Sequence, residues 1–533
     1  MRRVATLLSL TLLCLIVPTF SPAQNAPSGP SPSPEAQKCF ALADLKLPNT
    51  TITKAETVAA GAFAPLGPFP EGPLGGLGRL QFVASKDLPE FCRVAAISKP
   101  SKDSEIKFEV WMPSRSNWNR RFMGIGNEGF SGAVEYPLMG AALARGYATA
   151  STNTGHDGGL GDASFALGHP EKVIDFGYRA VHEMTVKAKL MVTAYYGTGP
   201  KFSYWHGCST GGRQALMEAQ RFPDDYDGIT AGAPANFLTH LQAQAVMTKQ
   251  EIQKNPTALV PAAKLAVLHN AVLEACDARD GVKDGVLDDP TRCDFDPKKL
   301  ECKGEDGPSC LTPAQVQLVL KFYNPVVNPR TKEQVFPGYA LGSELGWSDF
   351  IGRMLPESLM GKGQYLRYAL FQDVNWDYMA FDLDSQMARA DRLDGGVTNA
   401  INPDLRGFFR HGGKLLQYHG WNDPGISPFN SIDYYNSVLK FMGGADKANG
   451  SYRLFMVPGM DHCAFGEGPN TFDAIGAIEQ WVEQGKAPER VVASRWTDGK
   501  VDRTRPLCPY PRVAKYTGSG STDDASNFAC TLQ

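Results

Sequence analysis

The chain has 533 residues, with 53 Lys and Arg against 56 Asp and Glu and a formal net charge of -3. A balance this close to neutral, with no basic tract, argues against a nucleic-acid partner. The length far exceeds what one small core needs and predicts one large domain or two interleaved ones.

Residues Met1 to Ala23 open with Arg2 and Arg3, run apolar from Leu7 to Val17 and end in Ser21-Pro22-Ala23. A charged start, a short apolar run and small residues at a cleavage point spell a secretory signal peptide. The run is too short for a membrane span and no later stretch is long and apolar enough, so no membrane association is expected. Cys14 lies inside it with no lipid-attachment pattern around it. The expected product is a secreted or periplasmic protein. Loss of two arginines takes its formal charge from -3 to -5. Residues 24–35, rich in Pro, Ser and Ala, read as a linker.

Eleven cysteines less Cys14 leave an even number in an exported chain, which predicts five disulfides. Close spacing favours Cys276 with Cys293, Cys302 with Cys310, and Cys508 with Cys530. Cys39, Cys92, Cys208 and Cys463 remain, and three arrangements of them are open.

From Ile106 the pattern alternates between strand and helix. Strands are expected over Ile106 to Met112, Arg121 to Gly126, Gly146 to Ser151 and Phe202 to His206, with a helix over Phe176 to Tyr195. Such alternation implies a mostly parallel sheet with helices on both faces and ligands at the carboxyl ends of the strands. The second strand runs into Gly126-Asn127-Glu128-Gly129-Phe130-Ser131-Gly132, whose glycines allow backbone amides to point at an anion. The strand Phe202 to His206 runs into Gly207-Cys208-Ser209-Thr210-Gly211, a G-x-S-x-G turn ahead of a helix. In a nucleophile elbow that serine sits on a strained turn with the helix N-terminus behind it, which makes Ser209 the candidate nucleophile. Taken alone, the motif also fits an N-cap serine.

Residues 235–411 interrupt the alternation. They are helical and irregular, carry four of the ten cysteines, and sit where an insertion would form a lid over the strand ends. The expected organisation is a core from 24–234 and 412–533, with a lid domain over 235–411. Trp347, Phe350, Tyr365, Tyr368, Trp376 and Tyr378 are candidates for a pocket lining, with lid core the favoured role for each. For a substrate that bears a carboxylate, Arg353, Arg367, Arg389 and Arg392 are equal candidates.

The strand Lys414 to His419 ends in Gly420-Trp421-Asn422-Asp423-Pro424, and the next, Arg453 to Val457, ends in Pro458-Gly459-Met460-Asp461-His462-Cys463. Asp423 and His462 thus follow Ser209 in the order that an α/β-hydrolase places its orienting acid and its base. Cys208 precedes the candidate nucleophile and Cys463 follows the candidate base. A disulfide between them would hold their alpha carbons within about 7 Å and close a loop worth about 5 kcal/mol of chain entropy. Within the insertion, Cys276-Asp277-Ala278-Arg279-Asp280-Gly281-Val282-Lys283-Asp284-Gly285-Val286 sets three carboxylates among glycine turns. That suits a hard cation, although the spacing is not that of an EF-hand and an acidic surface turn fits equally well.

The segments GCSTGG, HGWNDP and PGMDHC, taken together, resemble those of the tannase and feruloyl esterase family, and the resemblance spans nearly the whole mature chain. It implies an α/β-hydrolase fold with a large inserted lid, and a serine carboxylesterase in which Ser209, Asp423 and His462 form the triad. Backbone amides of Thr210 and of the Glu128 and Gly129 turn are expected to hold the oxyanion. It further implies a Cys208 to Cys463 bridge, which leaves Cys39 with Cys92, and structural Ca2+ bound by Asp277, Asp280 and Asp284 with carbonyls of Val282 and Val286. The substrate class it implies is an ester of an aromatic acid, feruloyl or galloyl. The family also includes a terephthalate monoester hydrolase, so the motifs do not choose among these. A non-catalytic protein that binds an aromatic or sugar ligand on the same fold is the competing class.

Overall fold

The computed structural model describes residues 33–64, 84–348 and 362–532. The predicted signal peptide, Phe350 and Arg353 lie outside the described residues. The predicted linker ends sooner than expected: Pro34–Ala41 is a helix, with the Ser33 hydroxyl accepting from the Ala36 amide and Pro34 in the first turn.

The chain builds a nine-stranded sheet from β1 (Thr50–Val58), β2 (Phe91–Ser98), β3 (Ile106–Pro113), β4 (Arg121–Ile125), β5 (Ala148–Thr152), β6 (Phe202–Cys208), β7 (Gly228–Gly232), β8 (Lys414–Gly420) and β9 (Tyr452–Val457). Their order is β1-β2-β3-β5-β4-β6-β7-β8-β9. From β5 to β9 all neighbours are parallel, whereas β1, β2, β3 and β5 pair antiparallel. Parallel neighbours need long crossovers, here helices, that cover both faces of the sheet. Tyr204 and Trp205, adjacent in β6, therefore both bury fully and enter separate cores on opposite faces. β1 carries no fully buried residue, and its sequence TTITKAETV has no apolar alternation by which to recognise it.

Among the described residues, 235–411 adds no strand to this sheet. Its helices Leu238–Lys254, Ala262–Cys276, Pro313–Tyr323 and Leu383–Asp394 pack around cores of their own. Trp347 and Tyr365 are wholly buried in those cores, and Trp376 and Tyr378 pack against one of them. Phe130 of the turn after β4 lies parallel to Tyr365, with ring centroids 6.0 Å apart, so the insertion rests on that turn.

Candidate active site

β6 ends in a sharp turn into the helix Thr210–Arg221. Ser209 occupies it at φ 57°, ψ -119°, a conformation that side chains beyond glycine rarely adopt and that costs about 1–3 kcal/mol. The surrounding glycines are steric necessities. A Cβ on Gly207 would lie 2.6 Å from the Gly211 backbone, and one on Gly212 would lie 2.2 Å from the Gly232 carbonyl. The turn is held by the Ser209 amide donating to Gly232 O at 3.0 Å, and by the Ser209 carbonyl accepting from Arg213 and Ala235 at 3.0 and 3.1 Å. As the first residue of the helix, Thr210 has an amide with no intrahelical acceptor.

The turn after β4 is fastened to that helix by groups that sequence reading did not single out. Asn127 and Gln214 exchange two hydrogen bonds, backbone amide to Oε1 at 3.0 Å and Nε2 to Oδ1 at 3.1 Å. The Thr210 hydroxyl donates to Gly129 O at 2.7 Å. Glu128 and Gly129 are thereby fixed beside Ser209, whose hydroxyl favours the charged form of the Glu128 carboxyl. Gly129 sits at φ 51° with no room for a Cβ, which would meet Leu160 O at 2.5 Å.

Asp423 and His462 come from loops at the ends of neighbouring strands β8 and β9 and meet, His462 Nδ1 lying 2.6 Å from Asp423 Oδ2. Asp423 is fully buried, while the His462 side chain keeps 29% exposure, so the imidazole can meet a ligand and its carboxylate partner stays dry. Three further groups donate to that carboxylate: His419 Nε2 at 3.0 Å and the amides of Gly425 and Ile426 at 2.8 Å each. Burial works against the charge, but His462 and His419 outweigh it and hold Asp423 well below the usual carboxylate range. His419 is in turn set by Ser431 Oγ at 2.7 Å from its Nδ1. It stands inside the HGWNDP segment, and only the tertiary structure reveals its contact with Asp423.

The ten cysteines pair as Cys39–Cys92, Cys208–Cys463, Cys276–Cys293, Cys302–Cys310 and Cys508–Cys530. The second brings alpha carbons 255 residues apart in sequence to 6.0 Å. Ser209 and His462 are the chain neighbours of its two ends, and Cys463 itself stands at φ 62°. The sequence pattern of the family described as tannase and feruloyl esterase matches residues 92–531, with Ser209, Asp423, His462 and every paired cysteine but Cys39 inside.

The chain belongs to the tannase and feruloyl esterase family. It is 38% identical over 540 residues to an uncharacterized esterase of Xanthomonas campestris pv. campestris, covering 92% of this chain and 91% of that one. A probable feruloyl esterase B-1 of Aspergillus fumigatus is 36% identical over 460 residues, covering 83% and 86%. The crystal structure of feruloyl esterase B from Aspergillus oryzae superposes with a TM-score of 0.83 at 30% identity, covering 93% of this chain and all of that one. This tannase and feruloyl esterase family member is therefore a carboxylic ester hydrolase acting on small-molecule esters, and its sheet is that of an α/β-hydrolase.

Two other groups of predicted residues lie in the insertion of this family member. Asp277 is buried and accepts the amides of Asp284 and Gly285 at 3.1 and 2.9 Å, and Asp280 accepts from Val282 at 2.8 Å. Asp284 is drawn to Arg505 and lies 3.4 Å from Arg503. Burial, with Asp284 and Asp277 adding to it, pushes Asp280 up to about 6, and burial with the same crowding raises Asp288 further along the loop. Of the candidate arginines, Arg367 and Arg389 lie over the rings of Tyr368 and Phe371, at 5.1 and 4.8 Å, and Arg392 is exposed. None of these contacts is with the Ser209 turn.

His269, from the helix Ala262–Cys276, joins the insertion to the His462 loop. Its Nδ1 lies 2.8 Å from the buried Glu344 and its Nε2 2.9 Å from Glu467. Burial opposes its charge, but the two carboxylates prevail and lift the imidazole to about 9.

Proposed function

We propose that Ser209, His462 and Asp423 form the catalytic triad of this esterase, and that its substrates are esters of phenolic aromatic acids of the feruloyl or galloyl kind. The observation that carries the triad is the contact of His462 with Asp423 at 2.6 Å beside a disulfide that joins the neighbours of Ser209 and His462. His462 takes the proton of Ser209 as the oxygen attacks the ester carbonyl, while Asp423 selects the imidazole tautomer and stabilises its charged form. The amides of Thr210 and of the Glu128 and Gly129 turn receive the oxyanion, each such donor being worth about 2.7–4 kcal/mol. His462 then protonates the departing alcohol, and water attacks the acyl-enzyme with His462 again as base. The phenolic acyl group is inferred from the relatives of A. fumigatus and A. oryzae, whose names are those of feruloyl esterases.

Export accompanies this reading. Five disulfides suit an oxidising compartment, and among the described residues no helix is long and apolar enough to cross a membrane. We assign calcium to the loop of Asp277, Asp280 and Asp284, with the carbonyls of Val282 and Val286. Carboxylates crowded against one another, as Asp277 and Asp284 are against Asp280, are the chemistry a hard dication relieves. Arg505 and Arg503 compete for Asp284 there. The ion would act on stability and has no part in the reaction.

A serine-directed phosphonate tests the nucleophile. Mass spectrometry is expected to find the adduct on Ser209, with loss of activity, and Ser209→Ala to be inert toward both phosphonate and ester. Full activity in Ser209→Ala would overturn the assignment. Turnover of methyl ferulate, methyl gallate, chlorogenate and a terephthalate monoester, measured side by side, then ranks the acyl groups.

A further inference from the structure

Glu128 contributes more to this site than its backbone amide. Its side chain is half-buried in the site, with a carboxyl oxygen, a His462 ring nitrogen and the Cys463 sulfur all within 4.8 Å of one another, and the Ser209 hydroxyl favours its charged form. A second carboxyl, Glu135, at the start of the helix Tyr136–Ala144 that follows this turn, is near enough to oppose its charge. Tyr418 of β8 senses it from the sheet, its phenol oxygen buried and, among the described residues, without a hydrogen-bond partner. His462 is thus the base facing Glu128, and Ser209, Glu135 and Tyr418 also act on it. The position follows from the two cross-links between this turn and the nucleophile helix, the Asn127 and Gln214 exchange and the Thr210 to Gly129 bond.

On the reading that Ser209 attacks and His462 takes its proton, we propose that Glu128 is a positioning residue for that attack. As a neutral acid it leaves the Ser209 hydroxyl to His462; as a carboxylate it takes that hydroxyl for itself and sets a negative charge beside the forming oxyanion. A serine hydroxyl has one proton to donate, so an acceptor carboxylate and an acceptor imidazole compete for it directly. The same negative charge opposes the charge that develops on the carbonyl oxygen, where the site otherwise supplies only donors.

The neutral form is the resting one at moderate pH. Burial pushes Glu128 up to about 8, Glu135 adding to this while His462 and the Ser209 hydroxyl oppose it. Glu135 is itself lifted by burial to about 7, so it gains its charge first and holds its neighbour neutral longer. An acid that must stay neutral produces a fall in rate on the alkaline side, distinct from the rise on the acid side as His462 becomes a free base.

The rate of Ser209 labelling by an uncharged phosphonate, followed from about pH 6 to about pH 10, tests this on the intact enzyme. The unsubstituted protein is expected to slow by about tenfold per pH unit above about pH 8. Glu128→Gln cannot ionise and is expected to lose that decline, whereas Glu128→Asp retains a decline with a displaced midpoint. The proposal is overturned by an identical alkaline decline in Glu128→Gln. A level profile in the unsubstituted enzyme overturns it without any variant, so a failure of Glu128→Gln to fold does not protect it. A phosphonate that never labels Ser209 places the fault with the nucleophile instead, because the Glu128 effect is read only on an adduct at that residue.

Discussion

Asp423 and Asp280 are both loop carboxylates in crowded surroundings, and the less buried of the two is the harder to ionise. Asp423 is fully buried yet held charged by two imidazoles and two amides. Asp280 is half-buried, has Asp277 and Asp284 for company, and is pushed up to about 6. Burial alone does not decide a charge; the number of donors aimed at it does. The rim of the sheet satisfies its carboxylate with protein groups, whereas the loop in the insertion has acceptors in excess and draws on Arg505 and Arg503 from the C-terminal part of the chain.

Removing the charge at the self-sufficient carboxylate sharpens that contrast most. Asp423→Asn keeps the shape, but presents an amide where His462 and His419 need an acceptor. It is expected to lower kcat by about 10³–10⁴ with little change in KM. A loss below tenfold would remove Asp423 from the orienting role.

The insertion should behave in the opposite way, depending on an ion more than on any one residue. Chelation is expected to lower Tm by the equivalent of about 2.7 kcal/mol when the displaced calcium stood at a hundredfold excess over its Kd. Asp280→Asn is expected to abolish the calcium dependence of Tm while leaving the Ser209 phosphonate reaction in place. An unchanged Tm in a sample shown to be metal-free would mean that Arg505 and Arg503 suffice for the loop.

His269 tests whether the two regions are coupled, and its effect is the smallest. Its imidazole is raised above the ordinary value, so its contribution is complete below about pH 6.5 and disappears as pH rises through about 9. His269→Gln is therefore expected to lower Tm more at about pH 6 than at about pH 10. An equal loss at both would show that packing alone accounts for it.

Much of this architecture is legible before any coordinates. β3 to β6, β8 and β9 sit on apolar runs with turn signals at their ends, and the Ser209, Asp423 and His462 segments each follow one of them, whereas the short, glycine-bounded β7 gives no such signal. The antiparallel edge is not legible in the same way, since β1 has a polar, half-exposed sequence that becomes a strand only by pairing with β2. The part of the aromatic insertion that faces a substrate is equally hidden: Trp347 and Tyr365 differ from pocket residues in what packs on them and in nothing local. The helix at Pro34 was masked by the proline-rich composition leading into it.

Local patterning determined the strand and helix alternation, the strained serine turn and the acidic loop, because each depends on residues within a dozen positions of one another. Which side chains meet was decided only by the assembled sheet. It brought Asp423 to His462, Asn127 to Gln214, and Glu128 to Ser209, across separations that no periodicity records. Hydrogen bonds and charge shifts act over a few ångströms, and short distances between remote segments exist only after the chain has folded.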